Sequence, residues 1–177
     1  MKLDLTPILN RRVPVIDFDF TVDANEVPDA PDISEEITLD EPVRVCGRVC
    51  DNDGYMSLTA TVSVDYSTVC DRCLAPLSES IEFEFSRIVT LNAALAGDDG
   101  IDEDDVLLVK EGGIDFDRDI IEELSLELPI YHLCEEDCPG LCSVCGKDLR
   151  GSCTCKIEKE IDPRMETFKK LLENMNK

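Results

Sequence analysis

Residues 43–69 read VRVCGRVCDNDGYMSLTATVSVDYSTV, and their pattern sets the architecture that we expect of the whole chain. Apolar and polar residues alternate from Val43 to Val49 and again from Tyr55 to Val69. A period of two is typical of a strand that buries one face. The residues between the two runs, 51–54 (DNDG), favour a tight turn. This stretch therefore predicts a β-hairpin.

More strands are predicted on either side of the hairpin. Residues 13–20 (VPVIDFDF) alternate over part of their length, and residues 81–88 (IEFEFSRI) alternate after a turn around Pro76. A short strand at residues 106–109 precedes a turn at Gly112-Gly113. Together these segments predict a β-rich body.

One internal helix is predicted near residues 117–128. Asp115 or Asp117 can cap its first turn, and Pro129 ends it. Apolar side chains recur at helical spacing and would form one face of this helix. They are Ile120, Ile121, Leu124 and Leu128.

We expect an α+β fold with three parts. The β-rich main domain, which could take a barrel-like form, spans residues 1–133 and carries an acidic loop at residues 97–105. A small zinc-binding segment spans residues 134–155. A C-terminal helix spans residues 156–177, where Asp162-Pro163 supplies an N-cap followed by proline at the first helical position.

The chain is strongly acidic, with 17 lysines and arginines, 40 acidic residues and a formal net charge of −23. Such a surface repels the phosphate backbone, so extensive direct binding of RNA is disfavoured. It favours basic partners, of which ribosomal proteins are one class, although the charge can also serve solubility alone. No segment reaches the roughly 18–20 apolar residues of a membrane span, and no signal peptide is recognisable. We therefore expect a cytoplasmic protein.

Cysteines dominate the chemistry of the sequence: there are 10 in all, and six of them lie within residues 131–155, YHLCEEDCPGLCSVCGKDLRGSCTC. In a reducing compartment, clustered cysteines indicate a metal site rather than disulfides. Cys142 and Cys145, followed by Gly146, have the spacing of a zinc knuckle. A structural zinc takes four ligands, and Pro139-Gly140 can fold a second pair back onto this knuckle. The four metal ligands that we favour are Cys134, Cys138, Cys142 and Cys145.

Other residues near the knuckle are alternative ligands. Cys153 and Cys155 could replace the pair of Cys134 and Cys138, or they could complete a second site. The lone histidine, His132, could replace one sulfur, although an ordinary surface or core role suits it better. The sequence therefore indicates a metal strongly and leaves open which cysteines share it.

A second pair, Cys70 and Cys73, lies in the sequence CDRCL and has three interpretations. It could be half of a zinc site completed by the C-terminal cysteines, a thioredoxin-like redox pair, or two small buried residues. The redox interpretation ranks last because the pair follows an antiparallel-type strand instead of opening a helix. Cys46 and Cys50 lie about 13 Å apart along a strand, too far to bind one ion, and are interpreted as incidental.

Features of an enzyme are missing from the sequence. We find no glycine-rich phosphate loop and no nucleophile elbow. The single histidine leaves few options for general acid–base catalysis. We expect a protein that is not an enzyme, with structural Zn²⁺ as its cofactor. The alternative is a thiol redox protein or a zinc-responsive regulator that uses Cys70, Cys73 and the C-terminal cysteines.

Four motifs together resemble those of the YceD family. They are Cys70-Asp71-Arg72-Cys73-Leu74, the run LCxxDCxGLCxxCGxxL from Leu133 to Leu149, Cys153-Thr154-Cys155 and Asp162-Pro163-Arg164. The resemblance covers most of the chain. It implies a role in the level or maturation of large-subunit (23S) ribosomal RNA, and it carries no catalytic residues with it.

The resemblance also implies a kind of partner. Family genes commonly adjoin the gene of a small zinc-ribbon protein of the large subunit, which suggests a shared pathway. Because the chain is so acidic, we expect it to bind a basic large-subunit ribosomal protein or an assembly intermediate. Some relatives lack the C-terminal cysteines, which suggests that these cysteines stabilise this chain and do not perform the family's shared task.

Overall fold

The computed structural model describes residues 2–31, 33, 36–52, 55–92, 105–151 and 153–155. The predicted C-terminal helix at 156–177 lies outside the described residues, as does the predicted acidic loop at 97–105 apart from Asp105. Positions 53 and 54 of the predicted hairpin turn also lie outside them. The boundary between a main domain and a zinc-binding segment after residue 133 stays a prediction.

Strands dominate the described residues, and helices are few. The strands are β1 (Lys2–Asp4), β2 (Val15–Val22), β3 (Thr38–Leu39), β4 (Val43–Asp51), β5 (Met56–Val69), β6 (Pro76–Thr90), β7 (Val106–Leu108) and β8 (Gly113–Asp115). The helical elements are α1 (Thr6–Leu9), a 3-10 turn (Ala24–Glu26) and α2 (Asp117–Glu127). This mixture confirms the α+β class. Within the described ranges, no helix has the length and apolar character needed to cross a membrane.

The main sheet has the strand order β2–β4–β5–β6–β7, and β3 pairs with β5 beyond the end of β4. Neighbouring strands are antiparallel except for β6 and β7, which are parallel. The predicted hairpin is the β4–β5 pair, in which Val45 lies opposite Val62. The barrel-like form is not observed, because in the described part of the chain β2 and β7 each pair with one neighbour and the sheet stays open. Closure would need a further ladder between these two edges.

Alternation along β4 and β5 places every second side chain in a single core. Val45 and Val49 of β4 are fully buried, as are Leu58 and Val62 of β5. The same core includes the predicted apolar face of α2 and side chains from α1 and from the small β1–β8 sheet. Burial of this apolar surface is the main term that stabilises the sheet.

Helix α2 begins close to the predicted position and is attached to the main sheet. Phe116 occupies its N-cap position, where the sequence predicted Asp115 or Asp117, and the Asp115 carboxylate accepts a hydrogen bond from the Asp117 N–H at 3.4 Å. Arg87 of β6 forms an ion pair with Glu123 of α2 at 2.7 Å. The helix is therefore attached to the sheet by its apolar face and by a partly buried charge pair.

Candidate metal centres

Four cysteines from two distant parts of the chain meet at one end of the sheet. The sulfurs of Cys70, Cys73, Cys134 and Cys138, called the inner cluster below, all lie within 4.8 Å of one another. The Cys70 and Cys138 sulfurs are 3.9 Å apart, and those of Cys73 and Cys134 are 3.6 Å apart. Cys70, Cys73 and Cys138 are buried. The cluster thus joins the β5–β6 turn to residues 130–155, called the cysteine segment below.

The β5–β6 turn is shaped to present both of its sulfurs. The Cys70 N–H donates to the Ala75 carbonyl at 2.8 Å, and the Leu74 N–H donates to the Cys70 carbonyl at 2.8 Å. Leu74 has a φ of 59°, a left-handed conformation that side chains other than glycine seldom adopt. The turn is therefore a compact loop that holds the sulfurs of Cys70 and Cys73 within 4.8 Å of each other.

Hydrogen bonds attach the cysteine segment to this turn. The His132 N–H donates to the Asp71 carboxylate at 2.7 Å, and the Asp71 N–H donates to the His132 carbonyl at 2.9 Å. Arg72 donates to the Cys138 carbonyl at 2.9 Å. The segment is thus aligned with the turn by its backbone as well as by the four sulfurs.

A second group of cysteines lies within the segment itself. The sulfurs of Cys142, Cys145, Cys153 and Cys155, called the outer cluster below, also lie within 4.8 Å of one another. The Cys142 sulfur accepts the Val144 N–H at 3.4 Å, and the Gly146 N–H donates to the Cys142 carbonyl at 2.8 Å. Gly146 has a φ of 68°, which favours glycine at this turn. This is the geometry that the sequence predicts for a zinc knuckle at this pair.

The structure groups the cysteines differently from the favoured prediction. Cys134 and Cys138 lie in the inner cluster, whereas Cys142 and Cys145 lie in the outer cluster, so these four do not form one site. Each pair is completed by cysteines that the sequence offered as alternatives. Sequence spacing alone could not identify which four cysteines share a site, because ligands must be near in space. The partners of Cys134 and Cys138 come from a turn 61 to 68 residues earlier.

The remaining candidate ligands lie outside both cysteine clusters. His132 is buried, and its Nδ1 lies 2.9 Å from Glu79 Oε2 instead of in a cluster. Cys46 is exposed and belongs to neither cluster, and Cys50 likewise lies outside both. The interpretation of Cys70 and Cys73 as half of a site completed by the C-terminal cysteines agrees with the observed grouping.

The sulfur positions suit a tetrahedral metal ion. Four sulfurs at about 2.3 Å from a zinc are about 3.8 Å from one another. The inner-cluster distances are 3.9 and 3.6 Å, and the Cys145 and Cys153 sulfurs of the outer cluster are 3.7 Å apart. The cysteines are free and not joined as disulfides. Each cluster could therefore hold a metal ion.

Local hydrogen bonds prepare one thiol of each cluster for ionisation. The backbone N–H of Cys134 is the main cause that lowers the pKa of Cys70 to about 6. The backbone N–H of Cys145 does the same for Cys142, whose pKa is also about 6. Burial raises the pKa of Cys134 to about 12, so this thiol keeps its proton unless a cation compensates. A metal ion would stabilise such closely spaced sulfurs, because it binds them as thiolates and displaces their protons.

The contacts of Arg150 with two cysteine sulfurs were not predicted from the sequence. Its Nη2 lies 3.2 Å from the Cys73 sulfur, and its Nη1 lies 3.4 Å from the Cys134 sulfur. The available signal was a lone arginine between Cys145 and Cys153 in an acidic, cysteine-rich stretch. A guanidinium at this place would reduce the negative charge that these sulfurs carry when they bind a metal ion.

Comparison with known proteins identifies relatives of this chain. An uncharacterized protein of Mycobacterium tuberculosis is 33% identical over 115 residues, which are 65% of this chain and 55% of that protein. The chain thus spans just over half the length of the mycobacterial relatives it matches. The uncharacterized protein YlbN of Bacillus subtilis is 29% identical over 157 residues, which are 88% of this chain and 87% of that protein.

A plant relative carries a functional name. The chloroplastic protein of Zea mays named large ribosomal RNA subunit accumulation protein YCED homolog 1 is 29% identical over 143 residues, covering 65% of this chain and 49% of that protein. No solved structure matches the chain. The model of the family described as large ribosomal RNA subunit accumulation protein YceD matches residues 58–172, from β5 past both cysteine clusters. The chain belongs to the YceD family.

Proposed function

We propose that this protein is a non-catalytic factor that supports the accumulation of large-subunit (23S) ribosomal RNA. The observation that carries the proposal is membership of a family described by that role, together with the name of the plant relative. The matched range of 58–172 includes both cysteine clusters and the central strands of the sheet. The activity is therefore assigned to a domain that contains the cysteine segment.

The proposed mode of action is binding of a basic large-subunit ribosomal protein or an assembly intermediate in the cytoplasm. A formal net charge of −23 attracts such a partner and repels bare RNA. Many described arginines are already paired with carboxylates, which leaves less positive charge for phosphates. These are Arg44, Arg48, Arg87, Arg118 and Arg150.

We assign zinc to both clusters as a structural ion. Zinc accepts four thiolates in a tetrahedron, and the sulfur distances of 3.6 to 3.9 Å suit that geometry. With four protein sulfurs, such a site has no open position for a substrate, which accords with a structural role. In the inner cluster, the ion would tie the cysteine segment to the sheet; in the outer cluster, it would close the segment on itself.

The role in ribosomal RNA is tested by depleting the protein and separating ribosomal particles on a gradient. We expect a selective deficit of large subunits and of their RNA, with small-subunit RNA unchanged and the deficit reversed by the intact gene. An unchanged profile across several growth conditions contradicts the proposed role.

The partner is tested by capturing proteins from a lysate on the purified full-length chain. We expect basic large-subunit proteins or precursor particles to be recovered at low salt and lost as salt screens the charges. A matched variant, Glu82→Gln with Glu84→Gln, removes two exposed carboxylates of β6 and should shift release to lower salt. Recovery of neither class at low salt contradicts this mode of action.

A further inference from the structure

Arg150 belongs to one cysteine cluster by sequence and to the other by contact. It lies between Cys145 and Cys153 of the outer cluster, yet its guanidinium reaches sulfurs of the inner cluster. Nη2 donates to the Cys73 sulfur at 3.2 Å, and Nη1 donates to the Cys134 sulfur at 3.4 Å. The side chain thus bridges the two clusters.

Contacts with Asp148, in the loop between Cys145 and Cys153, orient Arg150. The Asp148 carboxylate accepts from Nη2 at 2.6 Å and from Nε at 3.0 and 3.1 Å, and it also accepts the Arg150 N–H at 2.9 Å. The Leu149 N–H donates to the Gly140 carbonyl at 3.0 Å. Nη2 of the guanidinium also faces Cys73, and Nη1, which lies 3.8 Å from Glu135 Oε1, faces Cys134. The position of this group depends on the loop that Cys145 and Cys153 close.

Arg72 shows that proximity alone does not explain this contact. It also lies against the cysteine segment, but it donates to the backbone carbonyls of Cys138 and Glu136, at 2.9 and 3.4 Å, and not to a sulfur. Arg72 therefore stabilises the backbone of the cysteine segment, whereas Arg150 contacts the sulfurs of Cys73 and Cys134.

We propose that Arg150 is a positioning residue through which the outer cluster stabilises the metal held by the inner cluster. The inference rests on the proposed assignment of zinc to both clusters. Four thiolates around a divalent ion keep a net negative charge, and N–H donors to their sulfurs reduce that charge and restrain the ligands. Because the outer metal closes the loop that carries Arg150, its occupancy keeps the guanidinium on Cys73 and Cys134. Loss of the outer metal therefore loosens the inner one.

The test compares full-length variants loaded with zinc. Arg150→Gln removes the charge and the paired donors, Arg150→Lys keeps the charge alone, and Arg118→Gln is a control for loss of an acid-paired arginine on α2. The measurements are metal content, the rate of zinc transfer to an excess of chelator, and ¹¹³Cd NMR of the cadmium-loaded protein. We expect the wild type to hold two ions, and Arg150→Gln to bind the inner ion about 10–100-fold more weakly. Arg150→Lys should be intermediate, and Arg118→Gln unchanged.

The spectroscopic readout separates ligand contact from general destabilisation. We expect Arg150→Gln to shift the ¹¹³Cd resonance of the inner site and leave that of the outer site in place. Cys153→Ser combined with Cys155→Ser should remove the outer resonance and shift the inner one in the same direction as Arg150→Gln. Adding Arg150→Gln to this pair should have little further effect, because both changes act through one contact.

The outcomes distinguish the two proposals. A wild-type protein without bound metal overturns the zinc assignment and this inference together. A wild-type protein with two ions, whose inner ion has the same affinity and resonance in Arg150→Gln, overturns this inference and leaves the zinc assignment standing. Additive effects of the outer-cluster changes and Arg150→Gln also overturn it.

Discussion

The sheet and the cysteine segment of this protein are held together by different forces. In the sheet, alternating strands bury side chains such as Leu58 and Val62 completely. In the cysteine segment, Ile130 is 100% exposed and Tyr131 is 68% exposed. The sheet therefore folds on apolar burial, whereas the segment contributes only a few partly buried apolar side chains, such as Leu133 and Leu141, which pack around the inner cluster.

The sheet and the cysteine segment also differ in how much secondary structure they contain. The described part of the cysteine segment contains no strand or helix beyond one isolated bridge between Leu141 and Asp148. Its ties to the sheet include the inner cluster with the apolar side chains packed around it, the hydrogen bonds to Asp71 and Arg72, and the contact of His132 with Glu79. The segment is thus attached to the sheet by packed cysteines and polar contacts and not by shared strands. A substitution in one region should therefore leave the structure of the other region unchanged.

The largest effect is expected from Cys138→Ser, which removes a ligand of the inner cluster. A structural metal site supplies folding free energy directly, so its loss should release the cysteine segment while the sheet stays folded. Metal analysis should show loss of at least one ion, and limited proteolysis should cut within residues 130–155 and spare β4–β6. Cys46→Ser, at an exposed cysteine outside both clusters, should change neither measurement. A Cys138→Ser protein with full metal content and an intact segment contradicts the comparison.

The sheet should respond in the opposite way to Leu58→Ala. Truncating a fully buried leucine should lower the free energy of unfolding by about 2–5 kcal/mol. Denaturant unfolding followed by circular dichroism measures this loss, and the metal content of the native protein should stay the same. Thr59→Ala, at the exposed neighbouring position of β5, is the matched control and should change stability by about 0.5 kcal/mol or less. Metal loss from folded Leu58→Ala would show that the two regions are not separable.

The smallest effect is expected at the polar contact that joins the two regions. Glu79 of β6 accepts the Tyr66 hydroxyl at 2.9 Å, and its Oε2 lies 2.9 Å from His132 Nδ1 in the cysteine segment. Burial, reinforced by Glu79, raises the pKa of Tyr66 to about 12, so the hydroxyl stays a donor at neutral pH. Glu79→Gln weakens these contacts and should cost about 1–3 kcal/mol.

Hydrogen exchange locates the effect of Glu79→Gln. Amides around His132 should exchange faster, because the contact that holds them to β6 is weaker, while amides of β4 and β5 should change little. Glu82→Gln, on the same strand but exposed, should leave exchange unchanged. Equal acceleration across the sheet and the segment would mean that the two regions open as one unit.

Much of the local structure follows from the sequence by itself. Alternation across residues 43–69 predicts β4 and β5, and the spacing of Ile120, Ile121 and Leu124 predicts the buried face of α2. The C-x2-C-G pattern predicts the knuckle at Cys142. These features depend on residues close together in the chain, where the periods of strand and helix decide which side chains share a face.

Only the tertiary structure decided how these parts meet. The open sheet depends on which strands lie at its edges, and no local pattern contains that order. The inner cluster forms only where the β5–β6 turn lies against the chain after α2. There the sulfurs of Cys73 and Cys134, which are 61 residues apart in sequence, are 3.6 Å apart. Arg150 likewise reaches Cys73 only once both turns are packed together. Metal sites and their neighbours require proximity in space, and the fold alone supplies it between residues so far apart in sequence.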